Sequence, residues 1–200
     1  MYRLISTILL LLVKMFRLLK VKGKEHIPSD ERFVVTCSHR GWVDVIMLAL
    51  ALYPIPVHYM AKQELFKGKW RDRFFRSINA FPVNRENPGP SALKIPMQIL
   101  KKNQCVGIFP SGTRTSEDVP LKRGAVTVAL KSNAPILPAA YKGPTNFSGL
   151  WKGEKSHVLF GEPLIFDKEK QEMNRDELID YALKRLENKI KELENELEKE

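Results

Sequence analysis

Cysteine is nearly absent: Cys37 and Cys105 are the only two in 200 residues. Each lies in an apolar run, and no CxxC pair exists. That argues against a disulfide framework or a thiolate metal site, and reads as two reduced core residues in a protein facing the cytosol. Histidine is scarce too. The four present (His26, His39, His58, His157) form neither an HxH nor an HExxH pair, so a metal centre has no ligand pattern to build on. The N-terminal stretch lacks a long hydrophobic run. Its uninterrupted apolar core extends only from Ile8 to Val13, whereas crossing a bilayer takes roughly 20 apolar residues. Met15-Phe16-Arg17 is no signal-peptide cleavage site, which wants small residues. No internal repeat is present.

Acidic residues are missing from one end and crowded at the other. Residues 1–24 carry six basic side chains (Arg3, Lys14, Arg17, Lys20, Lys22, Lys24) and no Asp or Glu. A basic, Leu-rich helix of this kind suits the headgroup boundary of an anionic bilayer; the competing reading is a first helix packed into the core. Residues 1–166 hold 25 of the 33 Lys and Arg but 11 of the 23 Asp and Glu, a net +14. Such an excess calls for a partner bearing phosphate: nucleic acid, an anionic membrane, or a phosphorylated small molecule. Nucleic acid is disfavoured, because no aromatic stacking platform or known binding motif accompanies the charge.

A hydrophobic share of 44% and a charged share of 28% describe a globular chain, and its length suits one domain with a sizeable core. Runs such as "RFVVTC" (32–37), "VHYMA" (57–61), "AFPV" (80–83), "QCVGIF" (104–109) and "PILPAAY" (135–141) read as strands. "SHVLFGEPLIF" (156–166) supplies one or two more. Between them, 43–52, 69–79, 88–102 and 123–133 read as helices, with Pro96 expected to kink the third or delay its start. From Asn174 the chain reads as one charged helix with an apolar stripe at Ile179, Leu183, Leu186, Ile190, Leu193 and Leu197. The stripe fits packing on the domain; coiled-coil pairing would use the same spacing but needs more heptads. The alternation predicts an α/β fold, a central sheet covered by helices.

The chemistry begins at "SHRGWVD", residues 38–44. If His39 sits in the strand-to-helix turn and Asp44 in the first helical turn, the loop can bring them together. The carboxylate would then accept the imidazole N–H, fix its tautomer and leave the other nitrogen to take a proton from a hydroxyl. Gly41 would permit a tight backbone, and Trp42 could wall the site or lie in a membrane interface. Arg85 follows a strand end in "AFPVNRENPG", and Arg114 does so in "GIFPSGTRT", where turn N–H groups can face an anion. Lys122, Arg123 and Gly124 open a helix, another favourable place for phosphate. Two arginine forks suit one clamped phosphomonoester.

The ordered set "SHRGWVD", "MAKQEL", "FPVNRE", "FPSGTR" and "APILPAA" resembles the lysophosphatidic acid acyltransferases of the glycerophospholipid acyltransferase family, over roughly residues 21–165. The resemblance implies a mixed central β-sheet flanked by helices, with an N-terminal membrane-interfacial segment. The expected organisation is that segment at 1–24 and an acyltransferase domain at 25–200 ending in the charged helix, 174–199. His39 and Asp44 would be the catalytic dyad. Arg85 would bind the acceptor phosphate, Gly112, Thr113 and Arg114 would form the third motif, and Lys62 would contribute to the acceptor site. Ser111 and Lys122 complete the expected substrate contacts, and Pro135 and Pro138 would shape the acyl-donor side. The implied reaction moves an acyl chain from acyl carrier protein or coenzyme A to the sn-2 hydroxyl of lysophosphatidic acid. It needs no metal or resident cofactor, and takes place at the cytoplasmic face of the inner or plasma membrane.

Two positions depart from the family pattern: the third motif usually has glutamate where Ser111 stands, and the first usually begins Asn-His rather than Ser38-His39. Loss of that carboxylate leaves the acceptor more open than the reaction type, with glycerol 3-phosphate or another lysophospholipid as alternatives. Ser111 as a hydrolase nucleophile is a weaker reading, since "FPSGT" lacks the G-x-S-x-G elbow. Outside enzymology, the charge alone fits an anionic-membrane-binding module.

Overall fold

The computed structural model describes residues 2–37, 41–84, 90–109 and 123–199. Among these, seven strands form one sheet in the order β1-β7-β6-β2-β5-β3-β4. They are β1 (Leu19–Lys22), β2 (Val34–Cys37), β3 (Val57–Lys62), β4 (Ala80–Val83), β5 (Cys105–Gly107), β6 (Ile136–Lys142) and β7 (Ser156–Phe160). From β6 to β4 every neighbouring pair is parallel. β7 runs antiparallel to β6, and β1 pairs parallel with β7. The sheet is therefore mixed, with the carboxyl ends of β2, β3, β4, β5 and β6 along one edge. β2 shows why its sequence is a plain apolar run: Val34 to Cys37 are all buried, as strands covered on both faces must be.

Helices lie on both faces. One carries α1 (Tyr2–Met15) and α2 (Trp42–Ala51), packed over Val35, Cys37, Val57, Tyr59, Leu137 and Phe160. The other carries α4 (Ser91–Leu100), α5 (Arg123–Ser132) and α8 (Arg175–Glu198) over Val34, Val106, Ile136 and Phe81. The shorter helices are α3 (Lys69–Ser77), α6 (Phe147–Trp151) and α7 (Glu169–Glu172). Asn174 caps α8, its side chain accepting from the N–H groups of Asp176 and Glu177. At the far end Lys142 Nζ donates to the Leu197 carbonyl at 2.7 Å, a cation where the helix dipole favours one.

Two expectations are corrected. The N-terminal helix ends at Met15, and Leu19–Lys22 is an edge strand. In "LKVK" the apolar Leu19 and Val21 alternate with lysines and pack on the core, a period of two that the helical reading missed. α4 begins at Ser91 and runs through Pro96, which is buried, so the proline does not delay its start. The α8 stripe at Ile179, Leu186 and Ile190 is spent inside the domain, against the core over α5; Leu193 and Leu197 cover Ala140 and Leu159. In helix α1 Ser6 and Val13 are buried, while Leu4, Ile8, Leu11 and Met15 form an exposed stripe. Among the described residues no helix is long and apolar enough to cross a membrane.

Candidate active site

Asp44 stands in the first turn of α2 and is 1% exposed. A carboxylate is tolerable there because the helix N-terminus offers unpaired N–H groups and a favourable dipole. The Gly41 N–H donates to Asp44 Oδ2 at 2.9 Å, tying the preceding turn to the helix. Gly41 has a second constraint. A β-carbon built there would lie 2.0 Å from the carbonyl oxygen of Thr145, so only glycine lets the stretch between β6 and α6 come this close. That stretch is held in turn by Tyr141, whose hydroxyl donates to the Pro144 carbonyl at 2.8 Å and lies 3.0 Å from Ser156 Oγ. Burial, reinforced by the nearby negative charges of Asp44 and Glu154, pushes the Tyr141 phenol up to about 12 although the Ser156 bond opposes the rise.

Beside this turn lies an apolar cavity of about 390 Å³. Trp42, Val45, Ile46 and Ala49 of α2 form one wall, and Ile5 and Leu9 of α1 extend it. Opposite stand Tyr59 and Lys62 of β3, Phe74 and Phe75 of α3, and Phe109. Tyr59 and Phe109 stack, with ring centroids 5.9 Å apart and planes 14° from parallel. Gly107 makes that possible, because a β-carbon there would fall 2.4 Å from the Tyr59 ring. The Tyr59 hydroxyl is buried without a hydrogen-bond partner among the described residues. Its pKa is driven well above the ordinary phenol value, by burial first and then by nearby groups including Asp44.

Of the expected catalytic and substrate-contact residues, Asp44 and Lys62 are described: Lys62 lines the cavity, whereas Asp44 does not and stands on α2 away from the face of Trp42, Val45, Ile46 and Ala49 that forms the wall. His39, Arg85, Ser111, Gly112, Thr113, Arg114 and Lys122 lie outside the described residues. One expectation changes. Arg123, expected beside a phosphate, forms ion pairs with Asp176 at 3.5 Å and Asp180 at 3.0 Å and ties α5 to α8. Neither Pro135 nor Pro138 lines the cavity; Pro135 precedes β6 at the opposite edge of the sheet, and its carbonyl accepts from Val34. Sequence reasoning missed the cavity walls from Tyr59, Phe109 and α1, since apolar residues at core spacing carry no mark of a ligand. It also missed α6, whose signal was the Asn146 cap accepting from Gly149. Among the described residues no group of three or more His, Cys, Asp or Glu is placed to hold a metal ion.

An α/β domain with a buried carboxylate at a helix start, next to an apolar cavity on the carboxyl edge of its parallel strands, has the build of an enzyme acting on an amphiphile. Comparison with known proteins narrows this. A family model described as Acyltransferase matches residues 18–142. The 1-acyl-sn-glycerol-3-phosphate acyltransferase of Bacillus subtilis (strain 168) is 48% identical over 198 residues, 99% of this chain and 99% of that protein. The protein of the same name from Streptococcus pneumoniae is 37% identical over 174 residues, 86% of this chain and 64% of that one. Among solved structures, the 1-acyl-sn-glycerophosphate acyltransferase PlsC of Thermotoga maritima superposes with a TM-score of 0.66 at 24% identity, covering 94% of this chain and 80% of that one; at that identity the likeness is one of fold. The chain belongs to the acyltransferase family.

Proposed function

We infer that the chain transfers an acyl group from a thioester to the sn-2 hydroxyl of lysophosphatidate, giving phosphatidate. The observation that carries this reading is Asp44: a buried acid held by the Gly41 N–H at the start of the helix whose other face walls an apolar cavity, in a chain nearly half identical to a protein of that name. The Gly41 N–H and the helix N-terminus offset the cost of burying this carboxylate, and His39 precedes it by five positions. In the proposed reaction His39 takes the proton of the acceptor hydroxyl, whose oxygen attacks the thioester carbonyl. The tetrahedral intermediate then collapses, the ester bond forms, and the carbon–sulfur bond breaks. The departing thiolate leaves as the thiol with the proton His39 had taken. Asp44 orients the imidazole and stabilises its charged form. The thioester is already activated, so the steps assigned to these residues involve no metal or cofactor.

The sheet supports the assignment of the remaining residues. β2, β4 and β5 end at Cys37, Val83 and Gly107 on one edge, and His39, Arg85 and Arg114 follow those strands closely in sequence. In this reading Arg85 and Arg114 clamp the acceptor phosphate, Lys62 and Lys122 add charge around it, and Ser111, Gly112 and Thr113 line the same pocket. The apolar cavity takes an acyl chain. The exposed stripe of α1 rests in the headgroup layer of an anionic membrane at its cytoplasmic face, with acyl carrier protein or coenzyme A arriving from the water side.

The test uses purified chain, labelled acyl thioesters of both kinds, and a panel comprising lysophosphatidate, glycerol 3-phosphate and lysophosphatidylcholine. Phosphatidate formation from the first acceptor, lost by a factor of roughly 10²–10⁴ in His39→Ala and Asp44→Asn, supports the reading. Full turnover in both variants overturns the dyad, and preference for another acceptor overturns the substrate.

A further inference from the structure

Helix α3 is more exposed than its packing requires, and its Trp70 belongs neither to the core nor to the cavity wall. Trp70 is 87% exposed and Phe74, one turn on, is 49% exposed, although large aromatics are ordinarily drawn inside. The helix is not short of anchorage: Phe75 packs on Phe66 with ring centroids 5.4 Å apart. Phe75 and Ile78 also face the cavity. Its outward surface is basic. Residues 62–77 hold six Lys and Arg against Glu64 and Asp72, and Asp72 is paired with Arg76 at 2.9 Å. Lys67, Lys69, Arg71 and Arg73 are all exposed. Aromatics at the water boundary with cations around them are the mark of an element lying in an anionic lipid interface.

Its position gives the occupant. The cavity is lined on one side by Tyr2, Ile5 and Leu9 of α1 and on the other by Phe74, Phe75 and Ile78 of α3. The two helices therefore flank one space, and both expose apolar residues to solvent.

We propose that α3 is a second bilayer-contact element, with Trp70 and Phe74 entering the acyl boundary of an anionic membrane beside α1. The two helices then hold the cavity against the lipid, and an acyl chain passes from bilayer to cavity without crossing water. This rests on the reading of α1 as a membrane-surface helix.

The test is fluorescence of the full chain carrying Trp42→Phe and Trp151→Phe, which leaves Trp70 as the reporter. The probes are vesicles of phosphatidylglycerol and phosphatidylcholine in equal parts, with and without brominated acyl chains. Trp70 emission should shift to the blue and be quenched by the brominated lipid, and the shift should vanish on pure phosphatidylcholine at high salt. In the parent chain, Trp70→Ser with Phe74→Ser should lower vesicle partition roughly tenfold or more, while Ile165→Ser, an apolar residue 59% exposed near the start of β6, should not. Vesicle-bound protein whose Trp70 emission stays unshifted overturns the proposal, as does unchanged partition of the double variant. Turnover of a short-chain, monomerically dissolved lysophosphatidate is measured in parallel. Its absence counts against the enzymatic reading and leaves the fluorescence result intact.

Discussion

The Gly41 N–H donates to Asp44 Oδ2 at 2.9 Å, and the same glycine lies against the carbonyl of Thr145 with no room for a β-carbon. One residue thus fixes the carboxylate from one side and receives the stretch leading into α6 from the other. Gly41→Ala places a methyl 2.0 Å from a backbone oxygen, and backbone cannot swing aside as a flexible side chain would. The expected outcome is a loss of about 1–3 kcal/mol of stability and a fall in kcat/KM of roughly a hundredfold, as small displacements of catalytic groups produce. Thermal melting together with steady-state turnover checks both; a variant that melts and turns over like the parent removes Gly41 from the positioning of Asp44.

Tyr141 holds the same stretch from below. Tyr141→Phe deletes the bonds to the Pro144 carbonyl and Ser156 Oγ, leaving a buried carbonyl and a buried hydroxyl unpaired at a cost of about 1–3 kcal/mol. The contribution depends on pH with a definite sign. The folded phenol ionises at about 12 and the ordinary phenol at 10.0, so the unfolded chain loses this proton first. The stabilisation is complete below pH 10 and declines as pH rises toward 12. Denaturant melts of parent and variant should show a gap that is constant from neutral pH to about 10 and narrows above it. A gap that widens there contradicts the assignment.

The layering of this fold was legible where one signal was unopposed. β2, β4 and α8 follow from an apolar run, a short apolar segment between polar neighbours and a stripe with an Asn174 cap, and each appears within two residues of its expected bounds. Leu19–Lys22 was not legible, because its four residues follow a helix of like composition and become a strand only by pairing with β7, more than a hundred residues away. The site divides the same way. Lys62 was legible only through the family resemblance, and Asp44 declares itself by its spacing from His39. Tyr59, Phe109 and Leu9 do not, since only the packing of α1 and α3 leaves a space between them instead of a filled core. Arg123 shows the converse error: a basic residue at a helix start looks like a phosphate ligand until Asp176 and Asp180 of α8 come alongside.

Cavity size gives a test independent of the dyad. Ala49 lies on the cavity wall near the C-terminal end of α2, one turn beyond Val45. Ala49→Phe projects a ring into a space of about 390 Å³ without altering Asp44, Lys62 or any charged group. If the space receives an acyl chain, the variant still transfers short chains and loses long ones. Each methylene kept out of the apolar wall sacrifices about 0.8 kcal/mol of transfer free energy, or roughly fourfold in kcat/KM. Competition between two donors differing by several carbons, with products separated by chromatography, reads that ratio directly. A parallel loss for short and long donors would mean that the ring disturbs the catalytic turn instead, and an unchanged ratio with full activity would place the chain elsewhere on the molecule.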